Sequence, residues 1–416
     1  MKIFALLFLS ALATQAQTHP LQTLIDAARA NSPALKTLFP ETLFDLKERG
    51  AAAVWGQDFL FAIESDAVSS VAVDKQPPVS MTRVPDSNFW YRLIRLRIGV
   101  THNYHFYADG KPLPPTYSYD VAGYGPDSYP QPGVPRGRMS EKKTLASKIY
   151  PDMPVEYWVY ESPGYDPSRD AALMVWQDGQ NVARGDLFAF RLFTVTENLV
   201  QRKLIPPMIH VMIAPGDKTR MRSIQYDTVS DRYGRFLLEE LLPEVEKSYK
   251  LRSDAYSRAI GGLSSGGICA LNVAMYFPDR FSRVLSGIGS YTALQWHPEE
   301  KLDGGNIYPF KVRREPKRNL RVWMSDGADD QEGGGGSWPL QNIQLANSLK
   351  LRGYDFHFRF GEGMHANAQA ALDLPDSLIW LWRDYDPGKT QQAYEMEAVE
   401  REKPLFRVRI ANRDAW

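Results

Sequence analysis

Gly262-Leu263-Ser264-Ser265-Gly266-Gly267 sets a hydroxyl between glycines two positions before it and two after it. Such a hydroxyl can attack a carbonyl carbon if a base takes its proton and N–H groups stabilise the oxygen that becomes negative. The run follows a strand ending in Ala259-Ile260-Gly261 and opens a helix over Ile268 to Phe277. A strand that turns at once into a helix strains its hinge residue, and only small neighbours fit at minus two and plus two. Gly262 and Gly266 meet that demand. The helix start also aims its free N–H groups and positive end at the reacting carbonyl. A Gly/Ser turn that only joins strand to helix is the competing reading; the context favours Ser264 as a nucleophile.

A serine needs a base, and the chain has 7 histidines. His19 sits near the N-terminal stretch, and His102 and His105 lie in a β-rich segment. His210 and His357 stand inside strand-like runs and read as packed side chains, whereas His297 lies in a loop. His365 stands in Phe360-Gly361-Glu362-Gly363-Met364-His365-Ala366, a glycine-rich loop between a strand and a helix. From there a base reaches the end of the elbow strand, so His365 is preferred and His297 is second. The base in turn needs a buried carboxylate on its other nitrogen. Asp326-Gly327-Ala328-Asp329-Asp330-Gln331-Glu332 follows the strand Leu320 to Ser325. An acid at the strand end, such as Asp326, suits turn capping. A loop that runs out and back favours Asp329 or Asp330. Serine, acid, histidine is the chain order of α/β-hydrolases.

A second oxyanion N–H must come from an earlier loop, and Trp176-Gln177-Asp178-Gly179-Gln180-Asn181 follows a central strand. Gly179 or Gln180 would complement the N–H of Ser265. The single cysteine, Cys269, excludes an internal disulfide and reads as a small core residue. No His-Glu-x-x-His and no histidine pair at helical ligand spacing beside carboxylates occurs, so neither a metal nor another cofactor is expected.

The elements that must hold these residues begin after Ser147. Val155 to Tyr160, Ala172 to Trp176, Met208 to Ile213, Arg258 to Gly262, Arg283 to Ile288, Leu320 to Ser325 and Asp355 to Phe360 read as strands with helices between several of them, one being Tyr233 to Tyr249. Nearly continuous apolar runs such as Met208 to Ile213 mark strands covered on both faces, and the alternation predicts a mostly parallel sheet. Leu21 to Arg49 reads as helical. Short β-branched and aromatic runs from Ala52 to Ala108 predict a small all-β sandwich, and Pro112 to Arg138 an extended connector. The predicted organisation is a leader over residues 1–16, a helix and sandwich over 21–115, a connector over 116–146, an α/β-hydrolase domain over 147–386 and a charged tail over 387–416.

Of the 416 residues, 44% are hydrophobic and 24% charged, which excludes a disordered or coiled-coil chain. Lys plus Arg number 49 and Asp plus Glu 49, so no global basic field exists to hold nucleic acid. Met1-Lys2, the apolar run Ile3 to Ala13 and Thr14-Gln15-Ala16 have the make-up of a signal peptide, which predicts a periplasmic or secreted protein with no membrane insertion after cleavage. The sequence is silent on oligomeric state.

On these residues, the segment from about Tyr150 to Tyr385 resembles the esterase D and enterochelin-esterase-like serine hydrolases, related to family-one carbohydrate esterases. Gly261 to Gly267 resembles the group's nucleophile motif, with Ser265 where Met is common, and Gln177-Asp178-Gly179-Gln180 its oxyanion loop. Asp326 to Asp330, followed by Gly336-Ser337-Trp338, resembles the acid loop and implies Asp330 as the acid. Gly361-Glu362-Gly363-Met364-His365 resembles the base loop, with Met364 where Gly is usual. Trp338, Asp178 and Glu362, in those loops, are expected at the substrate. Ala51 to Pro115 is similar in pattern to the immunoglobulin-like modules that precede enterochelin-type esterases. The resemblance implies an exported carboxylic-ester hydrolase acting through an acyl-enzyme on a feruloyl, acetyl-sugar or siderophore-type ester, either a small molecule or glycan-linked. An inactive carbohydrate-binding protein and an acyltransferase with the same triad are the alternatives.

Overall fold

The computed structural model describes residues 19–47, 49–114, 119–151, 153–187, 189–216 and 221–408. The expected leader lies outside them. The chain divides into two compact units, one drawn from Met1–Val71, Pro78–Leu96 and Phe106–Pro115, the other from Ala72–Pro77, Arg97–His105 and Thr116–Trp416.

In the first unit the helices Pro20–Arg29 and Leu35–Thr42 pack on an antiparallel sheet. Its strand order is Ala51–Trp55, Asp58–Glu64, Phe89–Arg95, Thr82–Arg83. One helical stretch to Arg49 was expected; two short helices form instead. Asn31 takes a left-handed φ of 49° and Pro33 disfavours helical backbone before it, so the chain turns there. Leu43 is already extended, with ψ 142°. Leu24, Ile25, Phe39, Leu60 and Tyr91 build the core, with Trp55 against it. Tyr91 OH donates to Asn31 Oδ1 at 2.6 Å, and Trp90 Nε1 to the Ser65 carbonyl at 3.0 Å. Both bonds lie within the first unit.

The second unit carries a mixed nine-stranded sheet. Its order is Arg138–Met139, Pro154–Glu161, Met208–Ile213, Ala172–Gln177, Arg258–Leu263, Arg283–Gly287, Arg321–Asp329, Asp355–Met364, and Lys143–Ala146 also pairs with Pro154–Glu161. Pairing is antiparallel on both sides of Pro154–Glu161 and parallel from Met208–Ile213 to Asp355–Met364. Every residue of Ala172–Gln177, Met208–Ile213 and Arg258–Leu263 is buried, which is why these strands carry apolar residues on both faces. The helix Ser265–Tyr276 is buried from Ser265 to Met275, so its sequence is apolar all round. The helix expected over Tyr233 to Tyr249 runs from Arg232 to Glu246 and widens to π-helix at Phe236–Leu241, just before Pro243 removes a backbone donor.

Two segments are more structured than their composition suggested. The proposed connector supplies the strands Tyr119–Ala122, Arg138–Met139 and Lys143–Ala146, the last two within the large sheet. The tail has partners: Tyr394 and Met396 are buried, Phe406 packs on the core, and Arg252 donates to the carbonyl of Pro387 at 2.6 Å. Charge-rich composition hid these anchors because they are single residues without periodicity.

Candidate active site

The strand Arg258–Leu263 ends at Ser264, which takes φ 56° and ψ −121° before the helix starts at Ser265. A side chain in that region is strained, and the packing holds it there. Ser264 N donates to the Gly287 carbonyl at 2.9 Å, and its own carbonyl accepts from Ser290 N at 3.1 Å. A Cβ on Gly262 would lie 2.6 Å from the Gly266 carbonyl carbon, so the tightness of the turn requires glycine.

The base and acid arrive on neighbouring parallel strands. Asp329 pairs with Met364 across them, after a register shift between Gly327 and Asp329. A Cβ on Gly327 would come 2.0 Å from the Gly363 carbonyl oxygen, so glycine permits this approach. The next residue on each side is Asp330 and His365, and Asp330 is buried where Asp329 is exposed. His365 Nδ1 lies 2.6 Å from Asp330 Oδ1, and its Nε2 lies 2.7 Å from Ser264 Oγ. The Asp330 side chain is 0% exposed and that of His365 17%, so the relay is sheltered yet open at the histidine. The strand runs on to Met364, past the expected end at Phe360, because pairing with the acid strand resumes after the register shift.

Asp326 is buried beside Asp330, and its Oδ1 accepts from Gly327 N at 2.8 Å. Asp326 Oδ2 and Asp330 Oδ2 are both buried without a donor among the described residues. Burial, then the neighbouring Asp330, hold Asp326 well above the usual carboxylate range. Asp120, from the proposed connector, accepts from Met364 N at 2.9 Å and fixes the backbone just before the base. Burial pushes Asp120 up to about 6. No motif marks Asp120 in the sequence.

The other histidines fall elsewhere. His297 is half-exposed, 3.7 Å from Glu299. His210 accepts from Trp176 Nε1 at 2.9 Å, and burial drives it down to about 3. His357 stacks on Trp323 with ring centres 4.3 Å apart. Cys269 is buried, and burial holds its thiol well above the usual range.

Ser264 and His365 face a cavity of about 440 Å³ that Asp178, Gln180 and Arg222 also line. Gln180 and Gly179 stand in the first turn of the helix Gly179–Val182, where backbone N–H groups have no intrahelical acceptor. Gly179 is packed so close to the strand Met208–Ile213 that a Cβ would meet Ile213 N at 2.3 Å. Ser265 lies across from them at the start of its own helix, and its Oγ accepts from Arg222 Nη1 at 2.9 Å. Of the expected substrate residues, only Asp178 is on the cavity, and Arg222 holds it by two bonds of 2.7 Å. Trp338 does not line it: the ring is buried, its Nε1 donates to Ser290 Oγ at 3.1 Å, and it meets the His365 ring edge-on at 5.4 Å. Ser290 Oγ lies 3.1 Å from Ser264 Oγ. Glu362 is exposed and lines a separate cavity with Arg359 and Asp373, since alternation along the strand turns it outward.

Solved structures of the enterobactin esterase FES from Shigella flexneri superpose with a TM-score of 0.57 at 18% identity, covering 81% of this chain and 97% of that one. A ferric enterobactin esterase from Salmonella typhimurium gives 0.55 at 16% identity, covering 81% and 97%. These likenesses show that the chain shares the fold of those structures. The Esterase family model matches residues 151–381, more than half of the chain, and the chain belongs to that family. Among curated proteins, the iron(III) enterobactin esterase of Dickeya dadantii (strain 3937) is 26% identical over 246 residues, 55% of this chain and 52% of that protein. The iron(III) enterobactin esterase of Escherichia coli (strain K12) is 28% identical over 172 residues, 41% and 40% of the two. The matches thus span about half the length, or less, of these two relatives.

Proposed function

We propose that this chain hydrolyses carboxylic esters through an acyl-enzyme on Ser264. The observation that carries the reading is the relay of 2.7 Å and 2.6 Å from a strained serine through His365 to a buried carboxylate. Ser264 Oγ attacks the ester carbonyl carbon as its proton passes to His365 Nε2. Asp330 holds the ring and offsets the imidazolium charge. The tetrahedral oxyanion is met by the N–H of Ser265 and one from Gln180 or Gly179. Collapse releases the alcohol, which takes the proton from His365. Water then attacks the acyl carbonyl by the same route in reverse and frees the acid.

Membership of the Esterase family supports this chemistry. The enterobactin-esterase relatives support a small-molecule ester of siderophore type as the first substrate to try, with feruloyl and acetyl-sugar esters beside it. The same proposal places the protein outside the cytoplasm, on the residue types of positions 1–16. The test is acid release from this panel by the wild type and by Ser264→Ala. The variant should melt at the wild-type temperature and lose on the order of 10⁴ to 10⁶ in rate. Activity within about tenfold of wild type removes Ser264 from the mechanism.

A further inference from the structure

The two sources of oxyanion N–H groups belong to different strand-to-helix turns, residues 177–180 and 263–266, and one side chain joins them. Arg222 Nε and Nη2 donate to the two oxygens of Asp178, each at 2.7 Å. Its Nη1 donates to Ser265 Oγ at 2.9 Å, and Nη2 also reaches the Leu263 carbonyl at 3.4 Å. The guanidinium therefore spans from the residue just before Gly179-Gln180 to the residues on either side of Ser264. Asp178 itself stands in the left-handed region at φ 55°, which aspartate adopts more readily than most residues and which turns the chain into the helix that follows. The fork is backed by Tyr226, whose ring centre is 5.7 Å from Cζ of Arg222 and whose hydroxyl accepts from Asp178 N at 3.3 Å. A planar bidentate fork with a third donor pointing the other way is geometry that arginine has and lysine lacks.

We infer that Arg222 is a positioning residue that fixes the separation of the two oxyanion-hole turns. The inference rests on the acyl-enzyme reading above. It assigns Asp178 to the same strut, with its carboxylate turned to Arg222 and its backbone setting the N–H groups that follow. A strut of this kind is felt where charge develops, so its loss lowers transition-state binding more than substrate binding.

The experiment compares wild type, Arg222→Gln, Arg222→Lys, Asp178→Asn and the double variant Arg222→Gln/Asp178→Asn. It measures kcat and KM on an aryl acetate, and the affinity for phenylboronic acid, which forms a tetrahedral adduct at a reactive serine. Arg222→Gln should lower kcat by about 10², as for a misplaced oxyanion donor, with KM within about threefold. Boronate affinity should fall by about the same factor as kcat/KM. Arg222→Lys should not restore the rate, and the double variant should lose no more than the worse single one. Ser265→Ala, which removes one arm and leaves the Arg222–Asp178 pair, provides a second reading if Arg222→Gln folds poorly, and should lower kcat and boronate affinity together by about three- to tenfold. Three results overturn the inference: a rate unchanged in Arg222→Gln, or in Ser265→Ala where the former is unfolded; additive losses in the double variant; or a raised KM at constant kcat, the mark of a direct substrate contact. A wild type without ester turnover or boronate binding sinks the hydrolase reading instead, so the two failures are distinct.

Discussion

The same parallel strands bury charge at both of their ends, and the two ends treat it differently. At the N-terminal edge Arg283, Arg321 and Asp355 are the first residues of adjacent strands and stand in register. Arg321 Nε donates to Asp355 Oδ2 at 2.7 Å, and Arg383 Nη2 to Asp355 Oδ1 at 2.6 Å. Arg283 donates to the Tyr256 carbonyl at 2.9 Å and lies among the rings of Trp382, Tyr256 and Tyr394, at 4.8, 4.9 and 5.4 Å. Burial draws Arg283 down to about 10, which leaves it charged at neutral pH. At the C-terminal edge the ions gather at the site, Asp330 against His365 and Asp178 against Arg222. Both edges leave buried polar atoms without partners among the described residues, Arg283 Nη2 at the first and Gln180 Oε1 at the second. The first edge spends its ions on holding strands together. The second sets its ions around Ser264 and His365.

That contrast yields separable effects. Asp330→Asn should keep the fold and lower kcat by on the order of 10⁴, because the amide stabilises the wrong imidazole tautomer. Asp329→Asn, at an exposed side chain one residue away, should stay within a few-fold. An exchange of these two results would show that the strand register places the other acid against His365. Asp355→Ala should do the opposite: it takes the carboxylate from Arg321, leaves Arg383 only Glu397, and should cost about 3–5 kcal/mol in urea unfolding. Its kcat, measured on the folded fraction, should remain within about twofold. A large fall in kcat at unchanged stability would erase the division between the edges.

Most of the C-terminal edge was legible in the sequence, because a nucleophile elbow has a local signature. Gly262, Ser264 and Gly266 mark a backbone conformation, and His365 and the acidic loop follow strands whose apolar runs are plain. The choice between Asp329 and Asp330 was not local: it depends on the bulge at Gly327 and on pairing with Met364. The N-terminal edge was not legible at all. Arg283 and Arg321 look like ordinary surface charges in one dimension, and Tyr394 sits in a polar tail; only the sheet brings them together. Asp120 was missed for the same reason, since it meets Met364 from 244 residues away. Trp338 and Glu362 were placed by their neighbours in sequence, but the helix start turns one into the wall behind Ser290 and alternation turns the other to a separate cavity.

The central claim is that Ser264 carries the acyl group. It is tested most directly by treating the protein with a fluorophosphonate and mapping the adduct by mass spectrometry. Ser290 makes the test sharp, for its hydroxyl lies only 3.1 Å from that of Ser264. A single adduct on Ser264, absent from Ser264→Ala and slowed in Asp330→Asn, is the predicted result. An adduct on Ser290, or none in a protein that turns over esters, would contradict it.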